Sequence, residues 1–303
     1  MEEFNIHEIT SIDASAILFI KETMASLECR PGLEDVECFL ASDHPGIYIG
    51  ELNGTPIGSV SFTKYCSTYY SFGLYLVEEI YRGKGYGMQI FNTAIKEIDS
   101  SQNISAYAVP SIAKKYEIHG FRTQWLCSNY DINLTKALEF LKAIPSNQNG
   151  LTAKSTTEID QEALLSYDTA VFGYQRNSFL MKWLHAKGSH VKVVVNSERT
   201  IVGYAAARVA YLQHEGYRLG PLFADSDEAA KVLLKALFEE ILCNGISTSH
   251  SVTIFCLKRN SNSMELMEQL HGKHTFDLAY ITTKGVPNGC FDKWFGITSP
   301  EIG

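Results

Sequence analysis

The spacing of apolar residues predicts two helices near the start of the chain. Asp13 is a suitable N-cap, and apolar side chains follow it at helical spacing, at Ile17, Ile20, Met24 and Leu27. A shorter helix is predicted from Leu33 to Ala41, where it ends before the sequence DHPG.

The pattern then changes to that of strands. The run GIYIGELNGTPIGSVSF consists of two strand-like segments around Asn53-Gly54, a dipeptide typical of tight hairpins. Another strand is predicted from Ser71 to Val77, followed by the sequence YRGKGYG and by a helix with one apolar face (Met88, Phe91, Ala94, Ile95 and Ile98). A strand in ISAYAV, a short helix in SIAKKYEIHG and a strand after Phe121 come next, and residues 144–150 have the composition of a linker.

The second half of the chain repeats this order in weaker form. VKVVVNSERTIVGYAAARVAYL resembles a second hairpin, with Gly203 in the place of Gly58. GYRLGPLFA corresponds to the strand before the glycine-rich sequence, EAAKVLLKALFEEI to the helix after it, and VTIFCL and SNSMELMEQL to the next strand and helix. We interpret the chain as two copies of one α/β unit rather than one large sheet, with domains at residues 1–145 and 151–303.

Composition narrows the class of protein. The 303 residues, 45% hydrophobic and 20% charged, suit a globular protein of two domains. No apolar stretch reaches the roughly 18 residues that span a bilayer, and the first ten residues lack the features of a secretory signal. A net charge of −8 without a long basic run argues against nucleic-acid or membrane partners. Seven cysteines without a C-x-x-C pair indicate reduced thiols and a cytoplasmic protein, and no ligand cluster accompanies His271 and His274, so we expect no metal.

The sequence YRGKGYG, residues 81–87, is the strongest candidate for a binding site. A strand that leads through a glycine-rich turn into a helix forms an anion site, because backbone N–H groups converge there and the helix dipole favours negative charge. The P-loop pattern G-x-x-x-x-G-K-[ST] does not occur, and the dinucleotide pattern G-x-G-x-x-G fails because position 88 is Met. Three alternate glycines with two cations favour a phosphate site over a turn that merely caps a helix.

Two motifs carry a resemblance to a known family. Val77-x-x-x-x-Arg82-Gly83-Lys84-Gly85-Tyr86-Gly87 resembles the acetyl-CoA pyrophosphate motif of the GNAT acetyltransferase superfamily, and YEIHGF, from Tyr116 to Phe121, resembles its second signature. The resemblance covers residues 5–135 in detail, and the remainder resembles the family only as a weaker repeat of the same unit. It implies an α/β (α+β) fold of two tandem GNAT-like domains, each a mixed, mostly antiparallel twisted sheet flanked by helices, with the second domain degenerate.

The resemblance also implies roles for the matching residues. The pyrophosphate of acetyl-CoA would be held by the backbone amides of Arg82, Gly83, Lys84, Gly85, Tyr86 and Gly87. The pantetheine arm would pair with the strand that contains Leu74, Leu76 and Val77, and a backbone N–H of this strand would stabilise the oxyanion. Tyr116 matches the position of a general-acid tyrosine, and a half-buried ring that only packs is the alternative.

The source of the general base stays open at this point. Many relatives carry a glutamate on the strand before the loop, but Gly73–Val77 contains no acid. Either a water chain connects the amine to Glu51, Glu78 or Glu79, or the base comes from the second domain. Asp168 and Arg176 also have two interpretations, an architectural ion pair or a pair that faces the cleft between domains and holds a charged substrate.

The second half carries acids where the first half has glycines. Asp225-Ser226-Asp227-Glu228 suits a helix N-terminus but would repel a pyrophosphate, so we expect this half not to bind CoA. The predicted function is that of an acetyl-CoA-dependent N-acyltransferase acting on a small-molecule amine, and the alternative is a CoA-binding or regulatory protein without turnover. The acceptor amine, the acyl chain and the oligomeric state are not predicted by the sequence.

Overall fold

The computed structural model describes residues 3–145, which we call the N-terminal half, and residues 148–303, the C-terminal half. The linker predicted at 144–150 includes Ser146 and Asn147, which lie outside the described residues. The N-terminal half contains β1 (Phe4–Glu8), α1 (Ala14–Ser26), α2 (Asp35–Leu40), β2 (Ile47–Leu52), β3 (Thr55–Cys66), β4 (Tyr69–Val77), α3 (Tyr86–Ala94), β5 (Asn103–Ala108), α4 (Pro110–Tyr116), β6 (Arg122–Asn133) and α5 (Leu134–Leu141).

The C-terminal half follows with a similar order of elements. It contains β7 (Thr152–Lys154), α6 (Gln161–Phe172), α7 (Asn177–Leu184), β8 (Ser189–Val195), β9 (Ile201–Val209), β10 (Tyr217–Ala224), α8 (Asp227–Asn244), β11 (Ser251–Leu257), α9 (Ser261–Gln269), β12 (Lys273–Thr282) and β13 (Trp294–Gly296). The predicted hairpins, the strand, loop and helix around residues 71–94, and their counterparts around 217–244 are confirmed. Strands β1, β7, β12 and β13 were not predicted.

The strands of the two halves join in one continuous sheet, whereas the sequence predicted a sheet in each half. The order across the sheet is β1-β2-β3-β4-β5-β12-β6-β11-β10-β9-β8-β7, and β13 pairs with β10. Neighbouring strands are antiparallel except for two pairs, β4 with β5 and β10 with β11. These two parallel pairs occupy equivalent positions in the repeated units, which supports the interpretation as a duplicated unit. The mixed, mostly antiparallel sheet flanked by helices is the fold class that the sequence predicted.

The two halves exchange a strand at the centre of this sheet. Strand β12 of the C-terminal half pairs with β5 and β6 of the N-terminal half. Strand β6 in turn pairs with β11 of the C-terminal half over seven consecutive residue pairs, from Ser251↔Asn133 to Leu257↔Cys127. Each half therefore completes its part of the sheet with a strand from the other half. The centre of the sheet consists of strands from both halves.

Buried contacts also join the helices of one half to the other. The Phe39 and Trp183 rings, from α2 and α7, stack with their centroids 6.0 Å apart. Nearby, the Arg208 Nε donates to Asp35 Oδ1 at 2.7 Å, and both side chains are almost completely buried. Burial alone would raise the pKa of Asp35, but the Arg208 guanidinium outweighs it and holds that pKa below its usual value. The halves thus share one core and have a charged contact within it.

Candidate active site

Strands β4 and β5 separate partway along their length. Their parallel pairing runs from Tyr69↔Asn103 to Phe72↔Ala106 and then stops, although β4 continues to Val77. At the same point the pairing of β4 with β3 shifts register between Gly73 and Leu76, and Leu74 adopts a left-handed φ of 47°. Ser59 Oγ donates to the Leu74 carbonyl at 2.8 Å, which holds the bulge in place. The second half of β4 therefore lines an opening in the sheet.

The glycine-rich sequence lies directly after this opening. Gly83 and Gly85 have φ of 74° and 88°, in the left-handed region that favours glycine, and a Cβ at either position would meet nothing within 4 Å. Gly85 is the N-cap residue of α3. The loop therefore presents backbone without side chains towards open space at a helix N-terminus, the arrangement expected of a site for phosphate oxygens.

The remaining residues of the loop have different roles. A Cβ on Gly87 would lie 2.9 Å from the Tyr75 hydroxyl and from Val77 Cγ2, so glycine there allows α3 to pack against β4. Arg82 Nε donates to the Val77 carbonyl at 2.8 Å and ties the loop to the end of β4. The Lys84 ammonium lies 5.4 Å from the centroid of the Tyr81 ring. The loop that the sequence singled out is thus fixed at both ends, with its two cations at its surface.

Tyr116 ends α4 on the far side of the same opening. Its half-buried ring contacts Phe72 and Phe121, with centroids 5.7 Å and 5.8 Å away. Burial raises the pKa of Tyr116 to about 12, with a smaller contribution from Tyr75. The phenol is therefore protonated at neutral pH and able to donate a proton, although the same ring also packs. Both interpretations from the sequence are compatible with this position.

A cavity of about 740 Å³ lies behind the opening, between the two halves. Tyr116 and residues 72–75 of β4 border it on one side. Its floor is the face of the central sheet, where Arg218, Thr253 and Asp131 lie side by side on β10, β11 and β6. Residues 27–30 and 300–301 border it opposite the floor. Small-ligand sites are commonly clefts of this size between domains.

The cavity is bordered by carboxylates that the sequence did not single out. They are Glu28, Asp131, Glu215 and Glu301, whereas Glu51, Glu78 and Glu79 are not among the bordering residues. Burial raises the pKa of Cys29, also at the cavity, to about 11, with Glu301 contributing, so its thiol is protonated at neutral pH. The alternation of polar Asn129 and Asp131 on β6 was visible in the sequence. Only the strand exchange shows that these side chains face the cavity.

Gly73 brings the C-terminal segment against the bulged strand. A Cβ at this position would lie 2.1 Å from the Glu301 carbonyl oxygen, so a larger residue does not fit. The segment is anchored by Tyr65, whose hydroxyl donates to the Ile302 carbonyl at 2.5 Å. Arg218 also fixes it, with Nη2 2.9 Å from Glu301 Oε2 and Nη1 2.8 Å from the Cys29 carbonyl. Arg218 thus ties the floor of the cavity to both segments opposite it.

Asp168 and Arg176 form a buried ion pair away from this cavity. Arg176 donates to both carboxylate oxygens of Asp168, at 2.9 Å and 2.8 Å. The Tyr204 hydroxyl donates to Asp168 and Arg176 also donates to Thr298, so partners surround the pair. Neither residue borders the 740 Å³ cavity. A buried pair surrounded by hydrogen-bond partners is typical of the architectural alternative.

The equivalent opening in the C-terminal half is filled by the protein itself. The parallel pairing of β10 with β11 also stops, after Leu219↔Ile254, but β13 then pairs with Leu222 and Phe223 of β10. The loop before α8 carries the predicted acids. Ser226 caps the helix by accepting from the Ala229 N–H at 3.2 Å, and Asp225 forms an ion pair with Lys293 at 3.0 Å. The slot and the anion site of the first half thus have no open counterpart here.

Within residues 3–145 and 148–303, no three histidine, cysteine or acidic side chains are grouped as they would be around a metal ion. Among the helices of the described ranges, none combines the length and the apolar character required to cross a bilayer.

Comparison with known proteins identifies the class. The model of the acetyltransferase (GNAT) family matches residues 18–114, and that of an acetyltransferase (GNAT) domain matches residues 164–287. The chain belongs to the GNAT acetyltransferase superfamily, with two GNAT domains in tandem, and is an acyltransferase. The resemblance stated from the two sequence motifs is confirmed.

Individual relatives support this assignment. Holothin acyltransferase of Pseudoalteromonas sp. (strain SANK 73390) is 28% identical over 210 residues, which cover 69% of this chain and 67% of that protein. A proposed acetyltransferase from Pyrococcus horikoshii has a similar structure, with a TM-score of 0.74, 18% identity and coverage of 99% of this chain and 96% of its own. A tandem GNAT protein from the clavulanic acid biosynthesis pathway has a TM-score of 0.68 at 14% identity, and the match covers 94% of this chain and 100% of its own. The two structural matches show a shared fold.

Proposed function

We propose that the protein is an acetyl-CoA-dependent N-acyltransferase that acts on a small-molecule amine. The observation that carries the proposal is the opening between β4 and β5, with the glycine loop at one end and the cavity behind it. Acetyl-CoA would supply an acyl group activated as a thioester. We propose the same domain limits as before, 1–145 and 151–303, with strands β6 and β12 exchanged between them.

The N-terminal half would bind acetyl-CoA. The open backbone at Gly83 and Gly85 would accept the pyrophosphate oxygens, and Lys84 would add positive charge beside them. The pantetheine arm would lie along Leu74–Val77, where β4 has no pairing with β5. In the C-terminal half, β13 occupies the equivalent position, which supports a single cofactor site per chain.

The acyl transfer itself would take place where the opening meets the cavity. An uncharged amine attacks the thioester carbonyl carbon, a C–N bond forms, and a backbone N–H of the bulged strand around Leu74 stabilises the charge on the oxygen. The C–S bond then breaks, and Tyr116 gives its proton to the departing thiolate. The proton that the nitrogen loses passes to a carboxylate at the cavity or to solvent.

The position of the carboxylates favours a base at the cavity. Glu51, Glu78 and Glu79 do not border it, whereas Glu301 of the C-terminal half does. Glu301 is also the residue whose backbone touches Gly73, next to the bulge. We therefore propose that the second domain supplies the base, and that Asp168 and Arg176 have a structural role.

Seven free cysteines support a reducing compartment, and we propose that the protein is located in the cytoplasm.

Release of the CoA thiol tests the proposed function. Purified protein is incubated with acetyl-CoA and a panel of primary amines, and free thiol is measured with a chromogenic disulfide. Thiol release that depends on an amine supports the enzyme. Calorimetric binding of acetyl-CoA without release for any amine supports the alternative, a CoA-binding protein without turnover.

A further inference from the structure

The side chains around the cavity carry an excess of negative charge. Four carboxylates border it and two guanidiniums, those of Arg30 and Arg218, face them. Arg218 is paired with Glu301 at 2.9 Å, and Arg30 lies 3.9 Å from Asp131. These two pairs leave Glu28 and Glu215 uncompensated, and neither forms an ion pair with any other described residue. The cavity therefore favours a ligand with positive charge.

Unpartnered hydrogen-bond acceptors accompany this charge. The Oε2 atom of Glu215 is buried and has no hydrogen-bond partner among the described residues. Asn129, 6% exposed, donates from Nδ2 to Thr275 Oγ1 at 2.7 Å, but its Oδ1 has no partner. Arg30 Nη1 is a buried donor without a partner, beside Asp131. Buried polar atoms in proteins are normally hydrogen-bonded, so these three atoms leave the wall of the cavity with unsatisfied polar groups.

The loop between α1 and α2 holds two of the charged residues in an unusual conformation. Glu28 and Arg30 both have left-handed φ, of 57° and 49°, and both border the cavity. Non-glycine residues in this region cost energy and cluster at functional sites. The loop thus places one carboxylate and one guanidinium at the rim at an energetic cost.

Apolar side chains also border the cavity. Phe255, Phe276 and Leu278 of the C-terminal half and Leu74 of β4 are among the bordering residues. A ligand that reaches from the β4 opening to Glu215 therefore passes apolar surface, which suits an alkyl spacer better than a chain of polar groups.

We propose that the acceptor is an alkyl diamine or a similar dication, with a second ammonium or guanidinium group that Glu215 binds while the first amine is acylated. This inference rests on the proposed function for the reacting end, and on Glu215 and Glu28 for the other end. The second cation binds the carboxylate of Glu215, and Glu28 adds negative charge at the rim.

Three amines of equal chain length test the proposal. 1,5-Diaminopentane, n-hexylamine and 6-aminohexanoate each carry one ammonium on five methylenes, and differ at the far end in having an ammonium, a methyl or a carboxylate. We expect calorimetry in the presence of CoA to show the diamine binding at least tenfold tighter than n-hexylamine, with 6-aminohexanoate weakest. The same order is expected for kcat/KM measured by thiol release.

Glu215→Gln isolates the proposed contact. This variant keeps the size of the side chain, and we expect it to remove most of the preference for the diamine while the affinity for n-hexylamine stays the same. Glu198→Gln, on an exposed turn in the same half, is the matched control and keeps the preference.

The outcomes separate this inference from the proposed function. Equal or tighter binding of n-hexylamine or 6-aminohexanoate overturns the inference, as does an unchanged preference in Glu215→Gln. If amines are nevertheless acylated, the proposed function stands. If the diamine binds preferentially but no amine releases thiol, the inference about the site stands and the enzymatic function fails.

Discussion

Replacing Gly85 with valine is the sharpest test of the cofactor loop. Gly85 has a φ of 88°, and a Cβ there would meet nothing within 4 Å, so the new side chain enters open space in the unliganded protein. Valine in this left-handed backbone conformation lowers the free energy of unfolding by about 1–3 kcal/mol. The binding loss comes from a different source, because the valine methyl groups would stand where the pyrophosphate must approach the backbone.

The expected loss of affinity follows from the contacts that the loop would make. Hydrogen bonds to a charged group contribute about 1.5–3 kcal/mol each. If valine prevents two of them, binding weakens by about 3 kcal/mol or more, which is about two powers of ten in Kd. Isothermal titration with acetyl-CoA measures this directly, and thermal unfolding measures the backbone cost in the same samples.

Gly54→Val is the matched control for backbone strain. Gly54 has a φ of 78° in the turn between β2 and β3, and a Cβ there also meets nothing within 4 Å. We expect a similar loss of stability and no change in acetyl-CoA affinity. Wild-type affinity in Gly85→Val, or the same loss of affinity in both variants, would refute the assignment of the loop.

Three further predictions follow from the site and its surroundings. Tyr116→Phe is expected to lower turnover by a factor of about 10²–10⁴ while acetyl-CoA affinity is retained. Because the pKa of Tyr116 is about 12, the wild-type rate should not fall near pH 10 through loss of this acid. Equal rates for the variant and the wild type would show that Tyr116 only packs. Titration of the full chain is expected to give one acetyl-CoA equivalent, because β13 fills the second opening, and two equivalents would contradict this. Asp168→Asn is expected to cost about 3–5 kcal/mol in urea unfolding by leaving Arg176 buried without a counter-charge, whereas Glu198→Gln, at an exposed carboxylate outside the ion pairs of the described residues, should leave the midpoint nearly unchanged; similar midpoints for both would show the buried pair to be unimportant.

The parts of the fold that local sequence determines could be predicted. The Asn53-Gly54 turn permits positive φ at both residues and so fixes the first hairpin, and the structure has φ of 51° and 78° there. The glycine loop was visible because its conformational demands can be met by few other residues. The acids at the start of α8 were predictable for the same reason, since a helix N-terminus selects such residues.

Long-range pairing could not be predicted from local patterns. Ser128 on β6 donates to Asp277 on β12 across 149 residues of chain, and no local periodicity encodes such a partner. Strand β13 has three residues, which is too short for a periodic signal. The cavity depends on both features, because its floor consists of strands from both halves. For this reason the glycine loop could be found from the sequence, but Arg218, Glu215 and Asn129 could not.

The exchange of β6 and β12 has a consequence for how the protein reaches its native state during synthesis. When residues 3–145 have left the ribosome, β5 and β6 are present, but the strand that belongs between them is not translated until residues 273–282. Until then, the edges of β5 and β6 that pair with β12 in the native protein have no partner. Exposed strand edges of this kind favour association with other chains. We expect the cavity to stay incomplete until residues 273–301 have been translated, so that premature termination after the first domain gives an aggregation-prone fragment rather than a smaller enzyme.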